Sequence, residues 1–392
     1  MAHETCPVCA SGAVQLFLQR DRVPVHQNLV IAGRSDALAA PRGDLAMVVC
    51  EECGFVYNRA FDPARLSYGQ DYDNTQSHSA CFDAYLDQLV AQMVALHGVR
   101  NARVVEVGCG KGHFLRKLVA HAGADNRGFG FDPSYSGPPE DLEGRLVFRR
   151  SFYDASCTGV AADVVVCRHV IEHVPDPMVL LQSVRSALAL SPGARVFFET
   201  PCVEWILRNK VVWDLFYEHC SLFSAASLRL AFERSGFVVD NVAHVFGGQY
   251  LWLEARPGAV SSPDHRAPGA HTARLARAYG SDEHALRRTW LDRLAALKAQ
   301  GPIALWGAGA KGVTFANLVD AGARMLDCVA DINPNKQGRF VPGTGHPIVA
   351  PAELAQRAVR NVVLMNPNYL QENRQLLQAA GCDANLIDWS HG

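Results

Sequence analysis

Short hydrophobic segments alternate with helix-forming segments through most of the chain. Five apolar runs, each followed by a glycine, polar or turn residue, have the length of buried strands. They lie in the segments "ARVVEV", "NRGFGFD", "LVFRR", "ADVVVCR" and "ARVFFETP". Strands that alternate with helices indicate an α/β, Rossmann-like domain built on a largely parallel sheet.

A second unit near the carboxyl end repeats this strand–turn–helix plan. "GPIALWGAGAKGVTFANLVD" predicts a strand, a glycine turn and a helix, and the earlier segment "EARPGAVSSPDHRAPGAH" has the composition of a linker. The 392 residues are enough for two or three domains. We predict a small domain at 1–66, an α/β core at 67–258, a linker at 259–284 and a second Rossmann-like domain at 285–392.

The composition excludes several classes of partner. The formal net charge is −2, and no run of basic residues marks a nucleic acid or a membrane surface as a partner. The amino terminus shows no apolar signal segment, and no apolar stretch is long enough to span a bilayer. These features predict a cytoplasmic enzyme that acts on a small molecule, as a monomer or a homodimer.

Four of the twelve cysteines form a metal-binding pattern. "CPVC" and "CEEC" each place two thiols on one tight turn, so Cys6, Cys9, Cys50 and Cys53 can complete the four-sulfur shell that structural zinc prefers. The alternatives are four buried free thiols or a redox-active pair, but neither pair opens a helix after a parallel strand. We predict a structural Zn²⁺ in the small domain, with no open position for catalysis.

The first glycine turn suits a cationic ligand. Gly108, Gly110 and Gly112 follow the first core strand and allow the backbone to approach a ligand closely. Glu106, two residues earlier, would repel a pyrophosphate but attract the amino group of S-adenosylmethionine. Asp132, after the next strand, can accept hydrogen bonds from both ribose hydroxyls. The pattern therefore favours S-adenosylmethionine over NAD as the cofactor.

The second glycine turn is compatible with more than one use. Gly307, Gly309 and Gly312 fit G-x-G-x-x-G, and Asp331 follows the next strand. The turn could bind NAD, which would indicate a dehydrogenase. It could also serve packing alone, or bind a phosphate of the substrate at the amino end of its helix, as a nucleotide sugar would require.

The order of these features resembles a known family. E-x-G-x-G-x-G with Asp132 resembles motif I of class I methyltransferases. The CxxC pairs, the core and the tail "DINPNKQGRFVPGTGHPI" together resemble the nucleotide-sugar C-methyltransferases of deoxysugar biosynthesis, over nearly the whole chain. The resemblance implies a sugar nucleotide bound between the core and the C-terminal domain. It also implies Phe152 and Tyr153 beside the adenine, and Arg168 and His169 near the methionine end or the substrate.

The family also carries a Tyr-x-x-His loop with catalytic groups. In "WDLFYEHCSLFS" the matching run is Tyr217-Glu218-His219, in which the two residues are one position closer. Methylation of a carbon beside a ketone needs a base that is neutral at working pH, and histidine meets this condition. We predict His219 as the base, Tyr217 as a donor to the sugar oxygen, and Glu218 as the group that fixes a tautomer or holds a hydroxyl. His173 could reach the same cleft.

Two further segments are candidates for the site. "SYGQDYDNTQSHS" could bring Tyr72 to the catalytic groups and Gln76 and Ser79 to the cofactor, or could be only a polar hinge between domains. Gln249 and Tyr250, in "FGGQYLWLEA", could line the cleft, although we expect them in the core. The competing functions are an O- or N-methyltransferase with the same cofactor residues, an NAD-dependent oxidoreductase, and a non-catalytic binding module.

Overall fold

The computed structural model describes residues 4–29, 31–66, 76–258 and 269–389. Within these residues the chain forms three β-sheets, of four, eight and five strands, and none of its helices is long and apolar enough to cross a membrane. The predicted α/β class is confirmed, because parallel strands connected by helices make up most of the second and third sheets.

The amino-terminal sheet is antiparallel and is built around the cysteine turns. Its elements within the small domain are β1 (Val14–Pro24), α1 (Arg34–Leu38), β2 (Arg42–Cys50) and β3 (Val56–Asn58). β2 ends at Cys50 and pairs with β3, so the second CxxC turn is the connection of a hairpin. The first CxxC turn precedes β1 and comes to lie against this connection.

The central domain holds the eight-stranded sheet. Between residues 80 and 257 the elements are α2 (Ala80–Ala95), β4 (Arg103–Val107), α3 (His113–Ala120), β5 (Arg127–Phe131), β6 (Glu140–Asp141), β7 (Leu146–Arg149), β8 (Val164–Arg168), α4 (Pro177–Ala187), β9 (Arg195–Pro201), α5 (Val203–Arg208), β10 (Ser221–Leu222), α6 (Ala225–Arg234), β11 (Phe237–Val245) and β12 (Tyr250–Pro257).

The order of this sheet is β11-β12-β9-β8-β4-β5-β7-β6, with β12 antiparallel to β9 and the strands from β9 to β7 parallel. One face packs against α2 and α3, and the other against α4 and α6. Because both faces are covered, the central strands are apolar at nearly every position. The strand order reverses at β4, which opens a crevice at the carboxyl ends of β4 and β8.

Strand β10 joins the core to the small domain. Ser221 and Leu222 pair with Tyr57 and Val56 of β3, and not with the core sheet. The segment that contains the predicted base His219 therefore ends on the sheet that carries the cysteines.

The C-terminal sheet is fully parallel, in the order β15-β14-β13-β16-β17. The elements of this part of the chain are α7 (Gly269–Lys298), β13 (Ile303–Trp306), α8 (Ala310–Val319), β14 (Cys328–Ala330), β15 (Ile348–Val349), α9 (Glu353–Gln356), β16 (Asn361–Leu364), α10 (Leu370–Ala379) and β17 (Asn385–Asp388). Here the order reverses at β13, directly before the second glycine turn.

The predicted linker at 259–284 is wrong from Gly269 onward, because α7 begins there. The prolines of this segment end at Pro268, and the residues that follow are mostly strong helix formers. Ala273, Ala276 and Tyr279 of the helix are buried in the same apolar cluster as β1 and β2. This part of the chain is thus a packed element between the small domain and the C-terminal domain.

Candidate active site between the core and the C-terminal domain

The carboxyl ends of the two parallel sheets open onto one cleft. Its cavity, of about 300 Å³, is lined from the core by residues that follow β8 and β9 and from the C-terminal domain by residues that follow β13, β14 and β16. They include His169, His173, Pro201, His219, Tyr250, Gly309, Lys311, Asn333 and Asn366. Crevices at strand-order reversals are the usual ligand sites of α/β sheets, and here two of them face each other.

The first glycine turn leaves room for a ligand at one position. A Cβ atom at Gly108 or Gly112 would collide with Val170 or Phe148, so these two glycines serve packing. Gly110 has a φ of +52°, and no described atom lies within 4 Å of the position that its Cβ would take. Its N–H donates to Asp132 Oδ2 over 2.9 Å. The backbone at Gly110 and the carboxylate of Asp132 therefore border the same open space.

Glu106 is a buried carboxyl group directly before this turn. Its side chain is almost fully buried, and its Oε2 has no hydrogen-bond partner among the described residues. Burial raises the pKa of Glu106 to about 8. A buried acceptor without a partner fits a bound amino group, so the turn suits S-adenosylmethionine better than a pyrophosphate.

Two aromatic residues predicted beside the adenine have different positions. Phe152, after β7, is 73% exposed, so its ring is available to cover a ligand. Tyr153 is buried against Phe131, with ring centroids 5.0 Å apart, and belongs to the core. The role of Phe152 stays a prediction, whereas the one for Tyr153 is wrong.

The cofactor contact of Arg168 stays a prediction, and the structure shows that its guanidinium has partners within the core. Its Nε and Nη2 donate to the two carboxylate oxygens of Glu199 over 3.0 and 3.2 Å, and its guanidinium lies over the ring of Phe114. Arg168 is the last residue of β8 and points away from the cleft, whereas His169 after it lines the cleft.

His169 is held as a cation by two carboxylates. Its Nε2 donates to Glu199 over 2.8 Å and its Nδ1 to Glu172 over 3.2 Å. Burial alone would lower the pKa of His169, but Glu199 and Glu172 raise it to about 9. Thr200 Oγ1 donates to the other oxygen of Glu172. The wall of the cleft thus carries the positive charge of His169, which the carboxylates of Glu172 and Glu199 compensate.

His173 and His219 form a second pair of imidazoles in the cleft. Their ring centroids are 4.8 Å apart with the planes nearly perpendicular, and the ring of Phe216 lies 4.0 Å from that of His219. Burial lowers the pKa of both groups, and that of His219 falls well below 6.5 because His173, His169 and Lys311 add to the effect of burial. His219 is therefore neutral at pH 7 and can accept a proton.

The neighbours of His219 do not reach the cleft, which corrects two predictions. The side chain of Tyr217 is fully buried, and its hydroxyl accepts a hydrogen bond from the Asp62 N–H over 2.9 Å. Glu218 is also fully buried, and its Oε2 accepts from the Gln27 N–H over 2.7 Å. The chain turns at 217–218, so successive side chains diverge. Tyr217 and Glu218 anchor the loop on the small domain and do not act on a substrate.

The predicted hinge segment contacts the C-terminal domain. Ser79 caps α2 and its Oγ donates to Glu372 over 2.7 Å, while Tyr369 donates to Gln76 Oε1 over 3.2 Å. Gln76 and Ser79 line the shared cleft, and their cofactor contact stays a prediction. Tyr72 lies outside the described residues.

The second glycine turn combines packing with an open helix end. A Cβ at Gly312 would collide with the carbonyl oxygen of Gly307, so Gly312 is required for packing. Asp331 accepts a hydrogen bond from the Ala308 N–H, and Lys336 donates to the Ala308 carbonyl. The amino end of α8 nevertheless lines the cleft, so it remains available to an anionic part of a ligand.

Sequence reasoning missed polar pairs that cross the cleft. Lys311 Nζ lies 2.5 Å from Asp214 Oδ2. Gln249 and Asn366 exchange two side-chain hydrogen bonds of 2.8 and 3.1 Å. Both pairs connect the core to the C-terminal domain, at sequence separations of 97 and 117 residues that no local pattern reveals. Gln249 was expected in the core; it is buried but also lines the cleft.

The four predicted zinc ligands come together. Cys6 Sγ lies 3.6 Å from Cys53 Sγ, Cys9 Sγ lies 3.4 Å from Cys50 Sγ, and all four sulfurs are within 4.8 Å of one another. A tetrahedral four-sulfur zinc site with bonds of about 2.3 Å separates its sulfurs by about 3.8 Å, so the cluster fits zinc. Glu172, His173 and His219 also cluster, but both oxygens of Glu172 are engaged by His169 and Thr200.

Comparisons with known proteins match both α/β units. Residues 78–242 match the family model "Methyltransferase domain", and residues 263–383 match "C-methyltransferase C-terminal domain". C-methyltransferase NovU of Streptomyces niveus is 28% identical over 94% of this chain and 91% of its own length. A ubiquinone biosynthesis O-methyltransferase of Vibrio cholerae is 36% identical over 26% of this chain, which is 44% of that protein.

Two solved methyltransferase structures each cover less than half of this chain. An S-adenosylmethionine-dependent methyltransferase from Mesorhizobium loti is 20% identical and covers 44% of this chain and 99% of its own, with a TM-score of 0.34. A magnesium protoporphyrin IX methyltransferase from Synechocystis, with bound SAH, is 21% identical and covers 49% of this chain and 90% of its own, also with a TM-score of 0.34.

Proposed function

Because the chain belongs to the S-adenosylmethionine-dependent C-methyltransferase family, we propose that it methylates a carbon atom beside the ketone of a nucleotide-linked sugar. The observation that carries this proposal is the neutral imidazole of His219 in a cleft shared by two crevices. A C–H proton beside a ketone is removed by a base, whereas methylation of an amine needs no such base.

The cleft offers separate regions for the parts of such an acceptor. The sugar ring would lie at His219 and His173, on the wall that follows β8. The diphosphate would lie at the amino end of α8, where backbone N–H groups and the helix dipole favour an anion.

The residues of this chain would act in the following way. His219 removes the proton from the acceptor carbon, and the electrons of that C–H bond form an enolate whose negative charge rests on the ketone oxygen. The fixed positive charge of His169 on the same wall favours this anion. His173, neutral beside His219, restricts the orientation of the base. When bound, S-adenosylmethionine supplies the methyl group as an electrophile.

The cofactor would be held by residues of the first glycine turn and its surroundings. We assign the amino group to Glu106, the backbone approach to Gly110, the ribose hydroxyls to Asp132 and the adenine to Phe152. We assign a structural Zn²⁺ to the four clustered thiolates of the small domain, where four sulfurs leave no position for a substrate.

The direct test is transfer of a labelled methyl group from S-adenosylmethionine to a panel of keto and non-keto nucleotide sugars. We expect label only in the keto sugars, and NMR of the product should show a new C–CH₃ group. A new O–CH₃ group would favour the O-methyltransferase alternative. Absence of transfer to every member of the panel would contradict a nucleotide-sugar acceptor.

The affinity for S-adenosylmethionine should increase as the pH rises from 6 to 8. Free Glu106 is protonated below its pKa of about 8, and it must ionise to pair with the amino group. Binding therefore releases a proton, and the association constant rises by up to about tenfold per pH unit below 8. Calorimetry in buffers of different ionisation enthalpy measures both quantities. In Glu106→Gln the dependence should vanish; the same dependence in this variant would assign the proton to another group.

A further inference from the structure

The cleft contains an ion pair that the reaction proposed above does not use. Lys311, in the first turn of α8, reaches across to Asp214, and the Nζ–Oδ2 distance is 2.5 Å. The side chains are 22% and 12% exposed, so the pair is largely shielded from water. Lys311 also lies over the ring of Trp205 and within 3.5 Å of Gln249 Oε1. Three contacts from three segments thus hold one ammonium group in the cleft wall.

Both partners belong to segments that matter for the proposed reaction. Asp214 ends a short 3-10 helix at Val212–Asp214, five residues before His219, and this helix packs against α8. Lys311 follows Gly307 and Gly309, the glycines of the turn at which we place the acceptor's diphosphate. The pair therefore connects the acceptor-binding turn directly to the segment that carries the base.

Two hydrogen bonds fix the His219 loop on the small domain, and the ring of Trp213 packs against Phe315 of α8 at the start of the segment. Tyr217 bonds to Asp62, and Glu218 bonds to Gln27. Neither contact relates the loop to the C-terminal domain. A partly buried charge pair is costly to break when one partner is removed, because the remaining charge is left desolvated.

We infer that Lys311 and Asp214 are positioning residues, which hold His219 at a fixed distance from the acceptor bound at the second glycine turn. The identity of the acceptor in this inference rests on the proposed function. The effect of the ion pair on the position of His219 does not depend on that function. The inference also assigns Lys311 an electrostatic effect on the base. The charged and titratable groups around His219 are His173 and Glu172, His169, Lys311 and, within its own segment, Asp214.

The test compares Lys311→Met with Lys311→Arg and with the matched control Lys298→Met. Lys298 forms a similar ion pair with Asp327, at 2.7 Å, on the outside of the same domain. We expect kcat to fall about 10- to 100-fold in Lys311→Met, because displacement of a reacting group by about 1 Å costs on the order of 100-fold. Lys311→Arg should recover part of this loss, and Lys298→Met should retain the wild-type kcat. The double variant Lys311→Met/Asp214→Asn should be no slower than Lys311→Met, because the two residues act as one unit.

Two readouts do not depend on turnover. In Lys311→Met the loss of a positive charge should raise the pKa of His219, measured by NMR titration of ¹³C-labelled histidine with His219→Gln for assignment. Amide hydrogen exchange in residues 212–219 should become at least about tenfold faster, since the loop loses its tie to α8. Lys298→Met should change neither quantity.

These readouts separate the inference from the proposed function. If wild-type protein methylates no nucleotide sugar but both changes occur in Lys311→Met, the proposed acceptor is wrong and the positioning role stands. If the His219 titration and the exchange of residues 212–219 match wild type in Lys311→Met, the positioning role is wrong, whatever the activity.

Discussion

Replacement of His219 by glutamine should lower kcat for methyl transfer by about 10²- to 10⁴-fold, the range typical for loss of a general base. Glutamine keeps a polar side chain of similar reach but cannot take up a proton at neutral pH. The cofactor residues lie on other elements, so S-adenosylmethionine should bind with unchanged affinity. The measurement is single-turnover methyl transfer together with a calorimetric titration of the cofactor.

His284→Gln is the matched control for this variant. His284 is an exposed histidine of α7, and its replacement should leave kcat unchanged. At saturating S-adenosylmethionine, wild-type kcat/KM for the acceptor should stay level through neutral pH and decline only well below pH 6.5, because the base must be neutral and burial lowers the pKa of His219. A His219→Gln enzyme that retains more than a tenth of wild-type kcat would show that another group removes the proton.

The sequence allowed the prediction of which residues lie close together where short stretches of chain fix their geometry. Gly110 and Asp132 each follow a predicted strand, and carboxyl ends of parallel strands meet at one edge of a sheet. The four cysteines were predicted from two tight turns, each of which fixes two sulfurs. The structure brings both sets together, because the constraint that defines them spans only a few residues.

The same reasoning failed where side-chain direction decided the outcome. Tyr217 and His219 are two residues apart and would share a face in an extended segment. Because the chain turns at 217–218, the side chains of Tyr217 and His219 point toward different domains. The sequence of this short segment does not reveal the turn. Arg168 has its partner Glu199 on the neighbouring strand, 31 residues later, so its structural role depends on the order of strands in the sheet.

The cofactor side and the proposed acceptor side of the site are built from different parts of the fold. The cofactor side is built within one domain, from β4, β5 and the turn between β4 and α3. The proposed acceptor side needs two domains, because the proposed base His219 lies on the core side and the helix end that would hold an anion lies on α8. A chain with only the core could bind the cofactor and still lack a fixed place for the acceptor.

Removal of the metal ligands should also affect the base, although the cluster lies in another domain. Cys53 leads into β3, and β3 pairs with β10 through Tyr57–Ser221 and Val56–Leu222. The Asn58 N–H donates to the Cys220 carbonyl, one residue after His219. Ser221 Oγ donates to the Val174 carbonyl, next to His173. Hydrogen bonds therefore connect the strand that follows the second cysteine turn to Cys220 and Val174, the chain neighbours of His219 and His173.

Cys6→Ser should accordingly lose the zinc that we propose for the cluster, measured as metal per chain by mass spectrometry, and should unfold at a lower temperature. Zinc contributes directly to folding in small four-cysteine sites, with apparent binding free energies of about 10–16 kcal/mol in isolated peptides, so loss of one ligand is a large perturbation. Amide exchange should increase in β3 and β10 and in residues 217–223 between the domains.

Cys81→Ser, outside the cluster, should keep the metal and the wild-type exchange. Because the cofactor turn shares no strand with this sheet, S-adenosylmethionine binding should survive better than methyl transfer. If Cys6→Ser loses the metal but keeps full methyl transfer, the small domain does not position His219. The hydrogen bonds through β10 then have no effect on the activity.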